Sequence, residues 1–266
     1  MSNWIDILET DIESFNQKIE SIKASERTMF RGQNLSGIDL RKANLSNCDL
    51  SNANLSNCIA EGYKLSGCRL KGTNLQDLKL ADNHWKPMLE QIQLLWKGAA
   101  DWAEFRANSR PAMLNGVCFS DFEFNKYDLS SLSFISANFN RVCFNHTNLN
   151  DTSFRSASMI ETSFEDINLK NTEFIESQLK RSKWSNVNLS YIDFTTADLS
   201  KATFENVSFE TCNLNEINAA GAVFNNCKFV KAIFYDADLS DCQFIDCSFS
   251  ESELSNAKKK EGLLVR

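Results

Sequence analysis

Apolar residues return at every fifth position along most of this chain. They fall at Leu35, Leu40, Leu45, Leu50 and Leu55, then at Leu65, Leu70, Leu75 and Leu80. The count resumes at Leu114 and keeps phase through Phe119, Phe124, Leu129 and Phe134 to Leu254. Each sits in the same setting, as in Ala43-Asn44-Leu45-Ser46-Asn47 and Ala197-Asp198-Leu199-Ser200-Lys201: a small residue, Asn or Asp, the apolar residue, then two polar ones. A period of five fits neither the helix nor the flat strand. Repetition at a fixed short period is instead the signature of a solenoid, which grows by adding units.

If four units make one turn of a square coil, a second period of twenty follows, and the sequence carries it. Phe124, Phe144, Phe164, Trp184, Phe204, Phe224 and Phe244 form one column. Leu114, Phe134, Phe154, Phe174, Phe194, Leu214, Phe234 and Leu254 form a second, and Leu129 through Leu189, then Phe209, Phe229 and Phe249, a third. The fourth, Phe119, Phe139, Met159, Leu179, Leu199, Ala219 and Leu239, holds the smallest residues. Phe sorts by face, as side chains stacked on successive coils require.

These columns and five-residue units resemble the pentapeptide-repeat family over about three quarters of the chain, from roughly Thr28 to Asn256. The resemblance implies a mainly β fold, a right-handed quadrilateral β-helix of about ten coils. In it the central residue and the small residue two before it point inward, and the other three positions face solvent. Ten coils at strand spacing make a rod roughly 45–50 Å long. Ala60 and Ala219 occupy central slots and thin the core there.

Three segments break the rhythm. Residues 1–27 predict an amphipathic capping helix, with Ile5, Leu8, Ile12, Phe15, Ile19 and Ile22 on one stripe; a short coiled-coil seam is the alternative. The first repeat block spans 28–82 and the second 112–256, separated by a helical insertion at 83–111. In the insertion, Pro87 suits a first helical turn, and Leu89, Ile92, Leu95, Trp96, Ala99, Trp102, Ala103 and Phe105 form an apolar stripe. Trp85, Trp96, Trp102 and Phe105 either brace the insertion against the coil or form a recognition element, since aromatic anchors dominate interfaces. The tail, 257–266, carries three lysines and then Leu263, Leu264 and Val265; a homodimer through this terminal element is one reading.

Composition narrows the chemistry. Seven of the nine cysteines (Cys48, Cys58, Cys68, Cys212, Cys227, Cys242 and Cys247) fill the small slot, where other repeats place Ala, Ser, Thr or Val. They read as packing residues. Cys48 with Cys68, and Cys227 with Cys247, should lie one above the other. With no Cys-x-x-Cys and two histidines, no metal site or cofactor is expected. No Gly-rich phosphate loop or acid–base pair is visible, so an enzyme is not expected. No signal peptide and no apolar run of bilayer length are visible, giving a cytoplasmic expectation and no membrane partner.

The net charge is −7, which argues against direct nucleic-acid binding. It is uneven: residues 112–256 hold twenty acids and ten bases, residues 28–82 five and seven. The face carrying Phe134, Phe154 and Phe174 presents Glu173, Glu176, Asp193, Glu216, Asp236 and Glu253, with Arg155 its only base. The expected function is a non-catalytic scaffold that binds a protein partner through its exterior and helical insertion. The family resemblance implies the alternative of a DNA mimic that modulates or protects a type II topoisomerase such as gyrase. A secreted effector component is a third reading.

Overall fold

The computed structural model describes residues 4–65, 67–81, 85–111, 113–252, 254–258 and 261–265. The chain divides into two units, Met1–Asp101 and Trp102–Arg266.

The repeat chemistry is clearest in the second unit. From Asp121 to Glu251, every fifth residue has a positive φ, near 55–60° at most positions, with Gly taking that place at Gly221. This left-handed residue turns the chain through each corner of the square. On two faces it completes a four-residue turn, as where the Ala137 N–H donates to the Phe134 carbonyl at 3.1 Å. Backbone groups bond to the rungs above and below: Leu129 N–H to the Asn148 carbonyl at 2.9 Å, and Asn148 N–H to the Tyr127 carbonyl at 2.8 Å. Hydrogen bonding is thus satisfied between rungs, and coils stack at strand spacing.

Two faces are regular parallel sheets. One has eight strands: Glu123–Asn125, Cys143–Asn145, Ser163–Glu165, Lys183–Ser185, Thr203–Glu205, Val223–Asn225, Gln243–Ile245 and Leu264–Val265. The other has five: Asn168–Lys170, Asn188–Ser190, Ser208–Glu210, Lys228–Val230 and Ser248–Ser250. The remaining faces are held by single parallel bridges, such as Asn138 to Ser158 and Glu173 to Asp193. Paired residues are twenty apart, which puts like side chains in columns: Phe124 stacks on Phe144 with centroids 5.3 Å apart and Phe224 on Phe244 at 4.6 Å. The fold is the right-handed quadrilateral β-helix that the columns imply.

The inward slots behave as their chemistry requires. Central residues from Leu114 to Phe244 are buried, Ala219 included. The small slot tolerates a donor: Thr147, Thr152, Thr162 and Thr172 hydroxyls each donate to a carbonyl of the preceding rung, at 2.8–3.0 Å. Cys242 does the same to the Ala219 carbonyl at 2.9 Å. Burial pushes the Cys48, Cys212 and Cys242 thiols up to about 12, which makes them inert at neutral pH.

In the tail, the strand Leu264–Val265 pairs with Gln243 and Phe244 at a spacing of twenty-one residues. One extra residue enters the count, and the tail becomes a further rung of the eight-stranded face.

The first unit holds the N-terminal segment, the first repeat block and part of the insertion. Where one N-terminal helix is expected, there are two, α1 (Trp4–Thr10) and α2 (Ile12–Glu20). Asp11 separates them, with φ −146°, and its carboxylate accepts the Ser14 N–H at 3.0 Å. That N-cap starts a new helix in mid-stripe. The stripe still buries Leu8, Phe15 and Ile19, and Phe15 meets Phe30, the first central residue.

The insertion likewise forms two helices, α3 (Lys86–Lys97) and α4 (Ala99–Asn108). Gly98 between them has φ 145°, a backbone that only glycine adopts readily. In α3, Met88, Leu89, Ile92 and Leu95 are buried; in α4 the buried residue is Trp102.

Candidate interaction surfaces

The acidic face is built from two solvent-facing columns of the second unit. One runs Ser133, Ser153, Glu173, Asp193, Asn213, Ile233, joined rung to rung by parallel bridges. The other occupies the left-handed corner three residues later: Ser136, Ser156, Glu176, Thr196, Glu216, Asp236. The repeat therefore brings Glu173 beside Asp193, and Glu216 beside Asp236, one rung apart.

Hydrogen bonds steady part of this set. Ser153 Oγ donates to Glu173 and Ser156 Oγ to Glu176, both at 2.9 Å. Asp193 Oδ1 accepts the Thr195 N–H at 2.9 Å and its hydroxyl at 2.5 Å. Ion pairs lie elsewhere, as Arg141–Asp121, Arg181–Glu161 and Lys231–Glu251. Among the described residues, none of Glu173, Glu176, Asp193, Glu216 and Asp236 forms an ion pair. The sixth expected member, Glu253, lies outside the described residues.

The four aromatic residues of the insertion are not gathered into one exposed set. Trp85 and Trp96 belong to the first unit, Trp102 and Phe105 to the second. Trp85 is half-buried over Gly62, where an added Cβ would overlap Trp85 Cβ and Cγ. Trp96 is half-buried and, with Gln93, Lys97, Asn52 and Lys71, lines a groove of about 630 Å³.

Trp102 is fully buried, and its Nε1–H donates to the Asp128 carbonyl at 2.6 Å. Phe105 stacks on it at 5.4 Å. Arg106 extends the anchor, donating to Ser130 O and Oγ at 3.1 Å each and reaching Asp128 Oδ2 at 3.4 Å. Burial works to raise the Asp128 carboxyl, but bonds from Ser130 and the Arg106 charge hold it below its ordinary value. Trp102 is thus a brace for α4 and offers no surface to a partner, contrary to its expected role as a contact.

Sequence reasoning missed a different group. Tyr191, Ile233 and Tyr235 are each more than half exposed. Ile233 is the last described member of the acidic column, and Tyr235 follows two residues on along the same face. Their signal was visible in principle as apolar side chains at positions the repeat turns toward water.

Cysteines and metals give little chemistry. Described cysteines are all free thiols, and among the described residues no cluster of His, Cys, Asp and Glu could hold a metal ion. Cys247 differs from the other slot cysteines in being half-buried. A hydrogen bond from the Cys227 thiol lowers it to about 7, while Cys227 itself is pushed up. Among the described residues, no helix is long and apolar enough to cross a membrane.

This architecture defines a class: solenoids in which four short units make one turn. Pentapeptide-repeat models match residues 27–62 (eight copies), 111–184 and 137–219, and 209–253 (nine copies). The chain belongs to the pentapeptide-repeat family. No curated protein matches its sequence.

Similar solved structures include HetL, a pentapeptide repeat protein involved in heterocyst differentiation regulation in the cyanobacterium Nostoc sp. strain PCC 7120. It is 16% identical over 93% of this chain and 95% of its own, with a TM-score of 0.27. QnrB1, a plasmid-mediated fluoroquinolone resistance protein, is 13% identical over 57% of this chain and 88% of its own, with a TM-score of 0.32. Rfr23 from the cyanobacterium Cyanothece 51142 is 15% identical over 58% of this chain and 88% of its own, with a TM-score of 0.23. At these values no function is carried over from any of them.

Proposed function

We propose that this chain is a non-catalytic β-helical scaffold that binds a basic protein partner through the acidic face of its second unit. The observation that supports this reading is the run of five carboxylates on four successive rungs of one face, none of them in an ion pair among the described residues. Stacked like charges repel by about 1 kcal/mol at rung spacing in a water-like dielectric. A cationic partner relieves that repulsion, and charge of one sign also steers association.

The second reading, a DNA mimic acting on a type II topoisomerase, draws on the same face. The carboxylates from Glu173 to Asp236 occupy four rungs, about 15 Å at strand spacing. DNA carries one charge per roughly 1.7 Å, so the face offers about half that density. This ranks a basic protein segment ahead of a DNA-binding saddle.

The test is cross-linking with mass spectrometry in cells, comparing the full chain with one carrying Glu173→Lys, Glu176→Lys, Asp193→Lys and Glu216→Lys. The expected result is loss of a partner by the reversed chain and its retention by a Trp85→Ala, Trp96→Ala chain. Identical partners for wild-type and reversed chains overturn the reading. A gyrase supercoiling assay with micromolar purified protein separates the two versions: inhibition or protection from inhibitor supports the mimic.

A further inference from the structure

The acidic face also carries exposed apolar side chains. Ile233 is 53% exposed and Tyr235 57%, on one rung and two residues apart. Tyr191, 55% exposed, stands at a corner of the same face, two residues before Asp193. Its backbone is left-handed, with φ 56°, at a position where Asn, Asp or Ser often stands in other repeats and where a bulky residue is costly. Surface apolar residues are ordinary when scattered. Ile233 and Tyr235 instead share one rung of the face that carries the acidic columns.

Register fixes how the two sets interleave. Asp193 pairs with Asn213 and Asn213 with Ile233, so Ile233 lies two rungs beyond Asp193 in one column. The Tyr235 N–H donates to Asn215 Oδ1 at 2.9 Å, and the Glu216 N–H to the Tyr235 carbonyl at 2.8 Å. Glu216 and Asp236 therefore flank Tyr235 at the adjoining corner. Lys231, the nearest base along the rung, is paired with Glu251 at 3.8 Å.

We propose that Ile233 and Tyr235 form the apolar anchor of this face, with Tyr191 two rungs before them. Its occupant is an extended segment of a partner protein that alternates Lys or Arg with apolar residues. The inference rests on the scaffold reading above and deepens it. Alternate side chains of an extended strand are about 6.5–7 Å apart and point the same way, so every second side chain of such a segment faces the rung that carries Ile233 and Tyr235. The cationic side chains of such a segment reach Glu216, Asp236 and Asp193, and charge complementarity excludes an acidic or purely apolar occupant.

The experiment uses the full chain and two fluorescein-labelled ten-residue peptides of equal charge, one alternating Lys with Leu and one Lys with Gly, read by anisotropy. The Lys-Leu peptide is expected to bind at least tenfold more tightly. Ile233→Ser with Tyr235→Ser is expected to erase that difference, and so is Ile233→Thr with Tyr235→Thr, which keeps strand preference. Glu216→Lys with Asp236→Lys is expected to weaken both peptides. If the two peptides bind alike, or if the apolar variants leave the difference intact, the anchor is overturned while charge-dependent binding stands. If charge reversal changes neither peptide's affinity, the acidic-face reading itself falls. Thermal midpoints matching wild type confirm that the surface variants remain folded.

Discussion

The indole N–H of Trp102 and the main-chain carbonyl of Asp128, 2.6 Å apart, tie the last helix of the insertion to a face of the β-helix. Trp102 is wholly buried, so its substitution acts on stability before recognition. Trp102→Phe removes the donor and some volume and should cost about 1–2 kcal/mol. Trp102→Ala should cost about 3–5 kcal/mol. Urea denaturation of the full chain measures both; unchanged midpoints would show that α4 is not anchored by this residue.

A second stabilising contact sits at the start of the first unit. Within the ladders, the N–H of one rung meets a carbonyl twenty-one residues earlier, as Asn54 meets Gln33 at 2.9 Å. Asn44 lacks that partner, and Asn16 supplies it: its Oδ1 accepts the Asn44 N–H at 2.8 Å and its Nδ2 donates to the Lys42 carbonyl at 2.9 Å. The side-chain amide stands in for a missing rung. Asn16→Ala takes the acceptor from the part-buried Asn44 N–H, while water serves the exposed Lys42 carbonyl, and should cost about 0.5–1.5 kcal/mol. Asn16→Asp keeps the acceptor only and should fall between. Hydrogen exchange at the Asn44 amide gives the local readout, with faster exchange expected in Asn16→Ala.

Gly62→Ala should destabilise the first unit by about 1–3 kcal/mol, because its Cβ overlaps Trp85 and overpacking forces a shift. Adding Trp85→Ala should recover part of the loss, which a double-mutant cycle reads as coupling. Additive effects would mean that the two residues do not meet.

The solenoid was legible because its determinant is periodic: a central Leu or Phe every five residues fixes which side chains face inward and which stack. Helix breaks were not legible, since they hang on single residues. Asp11 caps a new helix inside an unbroken apolar stripe, and Gly98 adopts a backbone that the stripe across it does not announce. The acidic columns followed from the count of twenty. The place of Trp102 did not, because a tryptophan reads alike whether it covers a core or projects from it. Tyr235 is hidden for the opposite reason: the repeat places it outside, where an aromatic side chain carries no periodic signal.

Among the slot cysteines, Cys247 should react first with iodoacetamide. Its thiol is half-buried and lowered to about 7, whereas Cys48, Cys212 and Cys242 are pushed up to about 12. The thiolate is the nucleophile, so its alkylation rate should rise with pH between about 6 and 8 and then level off. Peptide mapping of the native protein checks the order; equal labelling of Cys247 and Cys242 at pH 7 would refute it.

The unpaired acids have a consequence for stability that needs no partner. Glu216 and Asp236 occupy one corner column on successive rungs, and like charges placed directly opposite destabilise a sheet by some tenths of a kcal/mol. Glu216→Gln removes the repulsion while keeping shape, so it should stabilise the second unit by about 0.2–1 kcal/mol in 20 mM salt. At the ~3 Å screening length of 1 M salt the gain should largely vanish. Arg141→Gln is the opposing control, since Arg141 bridges to Asp121 across the same rung spacing at 2.6 Å and its loss should cost a similar amount. Denaturant midpoints at the two salt concentrations distinguish the cases. A corner that gains stability when its charge is removed is one whose acids serve something other than folding; a Glu216→Gln chain less stable than wild type at low salt would remove that argument for the acidic face.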